Sequence, residues 1–187
     1  MWQDFYQVNA HIIQFKNIDY WQLGVYQDYL NVFSAMNYYY MTVAWQDVPY
    51  IRIIGSSYME RTSMHEIFSD LKASLEKGID NFEEKRNESL STDLNEYFFL
   101  SKDVARILLA DIYMYEGEYI QAEELLGKVI SNGFYELDAS NYNNKETITN
   151  LYNNGSSRET IFAIRSVSHT DVNISLEVPT IVPLMTY

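Results

Sequence analysis

The residues that could carry nucleophilic, acid–base or metal chemistry do not form a recognisable pattern in this chain. The three histidines, His11, His65 and His169, lie in unrelated contexts, and no His-x3-His or His-Glu-x2-His spacing occurs. There is no Gly-x-Ser-x-Gly motif, no phosphate-binding loop and no cysteine. The sequence therefore predicts no catalytic residue, no metal site and no cofactor, although its 26 acidic residues leave a glycosidase-type carboxylate pair open.

Aromatic side chains offer a different chemistry, because 16% of the residues are aromatic and 17 of them are tyrosines. Most are expected to pack between helices. An aromatic ring in a loop can also stack on the apolar face of a pyranose, while Asn, Gln and Asp side chains bond the hydroxyls. Tyr20, Trp21 and Tyr58 lie in predicted loops and are the candidate ligand contacts. Trp2, at the start of a predicted helix, is a further candidate, whereas Trp45 is assigned to packing.

The stretch from Ser101 to Ile130 is the strongest structural pattern and predicts two helices folded back on each other. Its first arm is apolar on nearly every side, which is typical of a buried helix. Gly117 permits a tight turn, and the small residues Ala110 and Ala122 allow the two arms to approach closely. The spacing resembles one tetratricopeptide unit, which must bury its apolar faces against neighbouring helices.

Further elements are predicted around this hairpin. Ser63 and Glu66 have the spacing of a capping box at the start of a helix. Asp111 lies inside the apolar arm and is expected to form a hydrogen bond or an ion pair with a neighbouring helix. The predicted helices are Trp2 to Lys16, Tyr26 to Trp45 and Met64 to Phe82. The predicted extended segments are Pro49 to Ile54, Phe134 to Leu137 and Thr160 to Ile164. The tail from Val178 to Tyr187 is predicted to be irregular.

The overall charge restricts the partners. The formal net charge is -13, so phosphates of a nucleic acid or of an anionic membrane surface would be repelled. No uninterrupted apolar run approaches the length of a membrane span. Neutral ligands remain compatible with this composition.

Four segments, in this order, resemble the SusD/RagB glycan-binding lipoproteins of Bacteroidetes outer membranes. They are WQDFYQVNAHII, FSAMNYYYMTVAWQDVPY, the hairpin SKDVARILLADIYMYEGEYIQAEELLGKVISNGFYEL, and SSRETIFAIRS. Two positions depart from that family: Ser34 stands where it usually has an arginine, and Gln46 stands where it usually has the glycine before Asp47. The lipid-bearing cysteine and the C-terminal half of the family have no counterpart in the sequence.

The resemblance implies a mainly α fold, in which tetratricopeptide-like helix pairs form a right-handed superhelix with short irregular strands in the C-terminal part. Residues 1–187 would form one helical domain, with helix pairs over 1–133 and a loop-rich, truncated part over 134–187. It implies noncatalytic binding of glycans at the outer-membrane surface for a TonB-dependent SusC-like transporter, with membrane contact only through a lipid anchor absent from this chain. The alternative is a tetratricopeptide-type scaffold for protein–protein interaction.

Overall fold

A computed structural model describes residues 2–16, 24–51, 60–82, 100–137, 159–164 and 182–183. These residues form a mainly helical protein, as the sequence predicted. The helices are α1 (Trp2–Lys16), α2 (Gly24–Trp45), α3 (Met64–Asn81), α4 (Lys102–Glu116) and α5 (Tyr119–Ser131), and the strands are β1 (Val48–Pro49), β2 (Arg61–Thr62), β3 (Ala163–Ile164) and β4 (Val182–Pro183). Among the described helices, none is long and apolar enough to cross a membrane.

Helices α2 to α5 run alternately up and down, and hydrogen bonds at their ends fix this arrangement. At one end, the backbone N–H of Met64 donates to Asp47 Oδ1 at 3.0 Å, so α3 begins where α2 ends. At the other end, Leu100 N–H donates to the Tyr29 hydroxyl at 2.5 Å, so α4 begins beside the start of α2. A two-residue connection then turns α4 into α5. The ends of α2 and α4 therefore lie beside the starts of α3 and α5.

The core lies between α2, α3 and α4. Apolar side chains recur three and four residues apart on each helix, so each presents one continuous apolar surface to its neighbours. Phe68 of α3 is almost completely buried, and its ring stacks on Tyr39 of α2 with centroids 6.3 Å apart. Residues without exposed surface include Val32, Ile67, Leu75, Val104, Ala105, Leu108 and Ile112.

The α4–α5 hairpin lies where the sequence predicted it, and the residues expected to begin and end α4 do so. Ser101 Oγ accepts a hydrogen bond from Val104 N–H at 3.4 Å, which caps α4. Gly117 has φ of 79° and ends α4 in the left-handed conformation that glycine adopts readily. Asp111 Oδ2 accepts a hydrogen bond from the Tyr39 hydroxyl at 3.3 Å, so this acid is bonded to a neighbouring helix as expected.

Short strands differ from the sequence prediction in several places. Strand β2 was not predicted, and β3 covers only the last two residues of the predicted strand Thr160 to Ile164. Residues 134–137 are irregular and not a strand, since Phe134 N–H donates to the Asn132 side chain instead of to a neighbouring strand. The tail was predicted to be irregular, yet Val182 and Pro183 pair with Ile164 and Ala163 in an antiparallel ladder. Strand pairing depends on a partner distant in sequence, so local composition did not reveal it.

The exit of α2 uses an unusual backbone conformation. Gln46 has φ of 61°. Among the described residues, no other non-glycine residue has a positive φ. This conformation brings a Cβ atom close to the neighbouring carbonyl oxygen, a penalty that glycine avoids. The glycine expected by the family resemblance therefore has a physical reason at this position, and Gln46 adopts the same turn at a cost.

Replacement of Gln46 by glycine is expected to raise the free energy of unfolding by about 0.5–1 kcal/mol, because it removes left-handed strain. Chemical denaturation would measure the change. Gly117→Ala is the converse control, because it places a side chain where φ is positive. No atom lies within 4 Å of the added Cβ, so any loss of stability comes from the positive φ alone. A lower stability for Gln46→Gly would show that its side chain contributes more than the strain costs.

Candidate ligand-binding site

Four candidate ligand contacts were predicted from the sequence, and one of them lies in the described part of the chain. Tyr20, Trp21 and Tyr58 lie outside the described residues. Trp2 is the first residue of α1, as predicted. These four positions remain predictions.

Exposed aromatic rings occur in the described residues at the end of the helical array where α2 and α4 end and α5 begins. Trp45, the last residue of α2, is 40% exposed. Tyr115, near the end of α4, is 55% exposed, and Tyr119, the first residue of α5, is 69% exposed. Sequence reasoning assigned Trp45 and the hairpin tyrosines to packing, but these rings present much of their surface to solvent.

Charged side chains of α3 and of the α4–α5 turn contact each other near these residues. We call this group of side chains the turn cluster. It consists of the polar residues His65, Lys72, Glu116, Glu118 and Gln121 and the rings of Tyr113, Tyr115 and Tyr119. Lys72 Nζ of α3 forms an ion pair with Glu116 and lies 3.0 Å from Glu118 Oε1. His65 Nδ1 lies 2.9 Å from Glu116 Oε1. The second oxygen of Glu118 accepts a hydrogen bond from Gln121 Nε2 at 3.1 Å. One lysine thus joins α3 to both sides of the α4–α5 turn.

The tyrosines of the turn cluster differ in their surroundings. Tyr113 lies beneath the ammonium group of Lys72, which is 5.0 Å from the ring centroid, a cation–π contact. Burial, followed by the negative charge of Glu76, raises the pKa of Tyr113. Tyr115 meets the ring of Phe68 edge to face, with centroids 6.0 Å apart. Tyr113 is therefore structural, whereas Tyr115 is oriented by a core residue and still exposed.

The titration of Lys72 reflects its two carboxylate partners. Burial by itself lowers the pKa of Lys72, but hydrogen bonds and Coulomb attraction from Glu116 and Glu118 outweigh it, so the pKa is raised above 10.5. The stabilisation from this charge is therefore fully present at neutral pH and is lost as pH rises through the raised pKa.

We expect Lys72→Met to lower the free energy of unfolding by about 1–3 kcal/mol at pH 7, because it removes a cation from a largely buried carboxylate. The Glu116 side chain is only 13% exposed. Thermal or denaturant unfolding would measure the loss. The difference in stability between Lys72→Met and wild type should shrink as pH rises above about 10.5, where lysine in the unfolded chain loses its charge. It should disappear above the raised pKa that Lys72 has in the folded protein.

Lys128→Met is the matched control for that substitution. Lys128 Nζ lies 2.9 Å from Glu124 Oε1, but both side chains are mostly exposed. An exposed pair of this kind is screened by solvent and contributes little to stability, so little change is expected. Equal losses from the two variants would contradict a special role for Lys72.

A second polar group lies deeper between α2 and α4. Burial, followed by the charge of Asp111, raises the pKa of Tyr40 to about 12. Tyr40 therefore stays protonated at neutral pH. The Tyr39 hydroxyl donates a hydrogen bond to the Asp111 carboxylate. Nowhere among the described side chains do three His, Cys, Asp or Glu residues gather in a way that could hold a metal ion. The hydrogen bond between Tyr39 and Asp111 joins α2 to α4, so the role of this polar group is structural.

Comparisons at the level of sequence found no relative. No protein-family model matches the chain. No curated protein matches it either. Similarity to known proteins therefore rests on the three-dimensional structure.

Solved structures with the same fold were found, and those quoted below are SusD-like or glycan-binding proteins. A SusD-like carbohydrate-binding protein from Bacteroides fragilis has a TM-score of 0.68 at 16% identity, over 89% of this chain and 33% of that chain. A laminarin-binding SusD-like protein has a TM-score of 0.67 at 20% identity, over 89% and 37%. A surface glycan-binding protein A from Bacteroides uniformis has a TM-score of 0.66 at 16% identity, over 88% and 37%.

These matches identify the class of fold. The chain has the helical architecture of part of a SusD-like protein, so the resemblance noted from its four segments is confirmed at the level of fold. The chain spans about a third of the length of the structures that it matches, since it covers 33% of two of them and 37% of others.

Proposed function

We propose that this protein binds oligo- or polysaccharides without catalysing their cleavage. The observation that carries the proposal is the fold likeness over 89% of the chain to structures described as carbohydrate-binding and laminarin-binding. Exposed aromatic rings on a rigid helical scaffold support it, because sugar stacking needs a ring that is held in place and open to solvent.

The contacts proposed for the glycan are the loop residues Tyr20, Trp21 and Tyr58, with Trp2 as a further contact. Their loops would be positioned by the helical part of a single SusD-like domain over residues 1–187. Alanine at Trp21 or Tyr58 tests these contacts directly, because loss of a stacking ring weakens binding without altering the helical core.

The proposal includes a cellular role. The bound glycan would be delivered to a TonB-dependent, SusC-like transporter at the surface of the outer membrane, where a lipid anchor would hold the protein. The net charge of -13 fits a neutral ligand and no nucleic-acid partner. Co-purification of a TonB-dependent barrel with tagged full-length protein from outer membranes tests the partner.

Isothermal titration against a panel of glycans that includes laminarin tests the binding proposal. Measurable, saturable binding of at least one glycan is expected. Failure of the correctly folded, full-length protein to bind any of them would contradict it. A parallel assay for released reducing ends tests the noncatalytic part, and sustained release would assign the protein to the carbohydrate-active enzymes.

A protein-interaction scaffold of the tetratricopeptide type is the second candidate, and one observation favours it. Ile120 and Ile130 of α5 are 81% and 79% exposed, which is unusual for isoleucine on a helix. Exposed apolar side chains of this kind suit contact with a partner protein. Replacement of both by serine would abolish such an interaction while leaving glycan binding intact, so the two functions are separable.

A further inference from the structure

Asn132 and Gly133 form an Asn-Gly pair directly after α5, and this pair has a chemistry of its own. The backbone nitrogen of the residue that follows an asparagine can attack the side-chain carbonyl carbon. Glycine favours this step because it has no side chain to hinder the approach. Gly133 is exposed and Asn132 is partly buried, so water has access to the pair. The α4–α5 hairpin therefore ends at a position that can be modified without an enzyme.

The modification is a deamidation, and it needs no reactant other than water. The Gly133 nitrogen forms a bond to Asn132 Cγ, and the side-chain nitrogen of Asn132 leaves as ammonia with the proton that the Gly133 nitrogen gives up. Water then adds to either carbonyl carbon of the resulting succinimide ring and breaks the bond from that carbon to the Gly133 nitrogen. The product has an aspartate or an isoaspartate in place of Asn132.

The backbone of the folded protein holds the reacting atoms apart. Asn132 has φ of -72° and ψ of -15°. Because ψ measures the rotation of the Gly133 nitrogen relative to the backbone nitrogen of Asn132, a value near zero places these two nitrogens on the same side of the Cα–C bond. The Gly133 nitrogen is then turned away from Cβ, to which Cγ is attached. Ring closure therefore requires the Asn132 backbone to leave its helical conformation.

Hydrogen bonds hold the side chain of Asn132 as well. Its Nδ2 donates to Asp103 Oδ2 at 2.7 Å, and its Oδ1 accepts from Phe134 N–H at 2.9 Å. The first of these bonds joins the end of α5 to the start of α4. Rotation of the carboxamide towards the Gly133 nitrogen would break both bonds, so the reaction requires a local opening of the hairpin. Its rate is then limited by the free energy of that opening.

The acidic product does not fit the place of the asparagine. A carboxylate has no proton to donate to Asp103 Oδ2, and it would bring a second negative charge to within 2.7 Å of that atom. The other oxygen of Asp103 already accepts from Arg106 Nη1 at 2.9 Å. An isoaspartate would also lengthen the backbone before Phe134, because the chain then runs through the side-chain carbon. Either product removes the link between the two helices.

We propose that Asn132–Gly133 is a site of spontaneous deamidation, that the folded α4–α5 hairpin suppresses the reaction, and that conversion of Asn132 to an acid weakens the hairpin irreversibly. The hydrogen bond that slows the reaction is the one that the product loses, so each conversion favours further opening. This inference is independent of the proposed glycan binding.

Incubation of the whole chain at mildly alkaline pH, in native buffer and in urea, measures the reaction. Peptide mapping by mass spectrometry assigns the conversion to Asn132 and separates it from Asn154, which also precedes a glycine. Conversion of Asn132 is expected to be at least about tenfold slower in native buffer than in urea, because the open state is rarely populated. Equal rates in the two solutions would overturn the suppression by the fold.

Asp103→Ala tests whether the opening is local. It removes the acceptor of Asn132 Nδ2 and is expected to accelerate the conversion several-fold. Gly78→Ala is the matched control, because its added Cβ would collide with Val32 and leave the contacts of Asn132 in place. The two variants are compared at urea concentrations that give them the same unfolded fraction. Equal acceleration in both would overturn a local opening in favour of global unfolding.

Asn132→Asp makes the aspartate product directly and tests its effect on the hairpin. Its melting temperature is expected to lie below those of wild type and of Asn132→Ala, because alanine removes the hydrogen bond without adding a charge beside Asp103. Thermal unfolding followed by circular dichroism measures the three proteins. An Asn132→Asp protein as stable as wild type would overturn the proposed weakening.

Discussion

Replacing Asp103 by alanine is expected to lower the free energy of unfolding by about 3 kcal/mol, because it removes one partner from a buried ion pair. Asp103 Oδ1 accepts from Arg106 Nη1 at 2.9 Å, and Oδ2 accepts from Asn132 Nδ2 at 2.7 Å. Asp103 and Arg106 are both buried, so the guanidinium would lose this carboxylate partner in a poorly solvated position. Denaturant unfolding monitored by circular dichroism would measure the loss.

Asn132→Ala is the control that separates the ion pair from the link between the two helices. Asn132 joins the end of α5 to the start of α4 and also accepts a hydrogen bond from Phe134 N–H at 2.9 Å. Its removal leaves the Asp103–Arg106 pair intact, so a loss of only about 1 kcal/mol is expected. Equal effects of the two substitutions would show that the ion pair itself contributes nothing.

Gly78→Ala is expected to lower the free energy of unfolding by about 2 kcal/mol, although alanine is the better helix former. Gly78 is buried in α3 where this helix approaches α2 and α4. An added Cβ would collide with Cγ2 of Val32 and would lie 3.7 Å from the Cβ of Ala105. Val32 has no exposed surface, so its side chain has no free space into which to move.

The same substitution in α5 is expected to have the opposite sign. Gly127 is an exposed residue of α5, and no atom lies within 4 Å of an added Cβ. Gly127→Ala should therefore raise the stability by about 0.5–1 kcal/mol through helix propensity alone. Differential scanning calorimetry of both variants would measure the pair of effects. A stabilising Gly78→Ala would mean that α2 and α3 can move apart at little cost.

The sequence predicted side-chain burial correctly inside the helices but not at their ends, where the exposed rings lie. Periodicity correctly predicted that Tyr113 faces other helices, because it lies within the length that α3 covers. Tyr115 and Tyr119 follow the same apolar spacing, but they lie within two residues of the turn, where neighbouring helices cover less surface. Exposure at a helix end depends on where the adjacent helix ends, and the sequence of a single helix does not contain that information.

Local sequence patterns also did not predict the hydrogen bonds between residues that lie far apart in the chain. The buried Asn9 donates to Met41 Sδ at 3.7 Å and accepts from Ser34 Oγ at 3.3 Å, which joins α1 to α2. Asp103 lies in the first turn of α4, where acids are favourable for local reasons, but nothing in the local sequence indicates its bond to Asn132, 29 residues later. Such contacts are determined by how helices pair, and many pairings satisfy the same local preferences.

The sequence by itself determined the helices and turns whose causes are local: the Ser101 cap, the left-handed Gly117 and the apolar spacing of α2 to α5. These features depend on residues within a few positions of each other. The tertiary structure alone decided that Lys72 joins two carboxylates across the α4–α5 turn and that Tyr119 stays exposed to solvent. Those outcomes depend on the register of three helices, which is selected by the packing of the whole core.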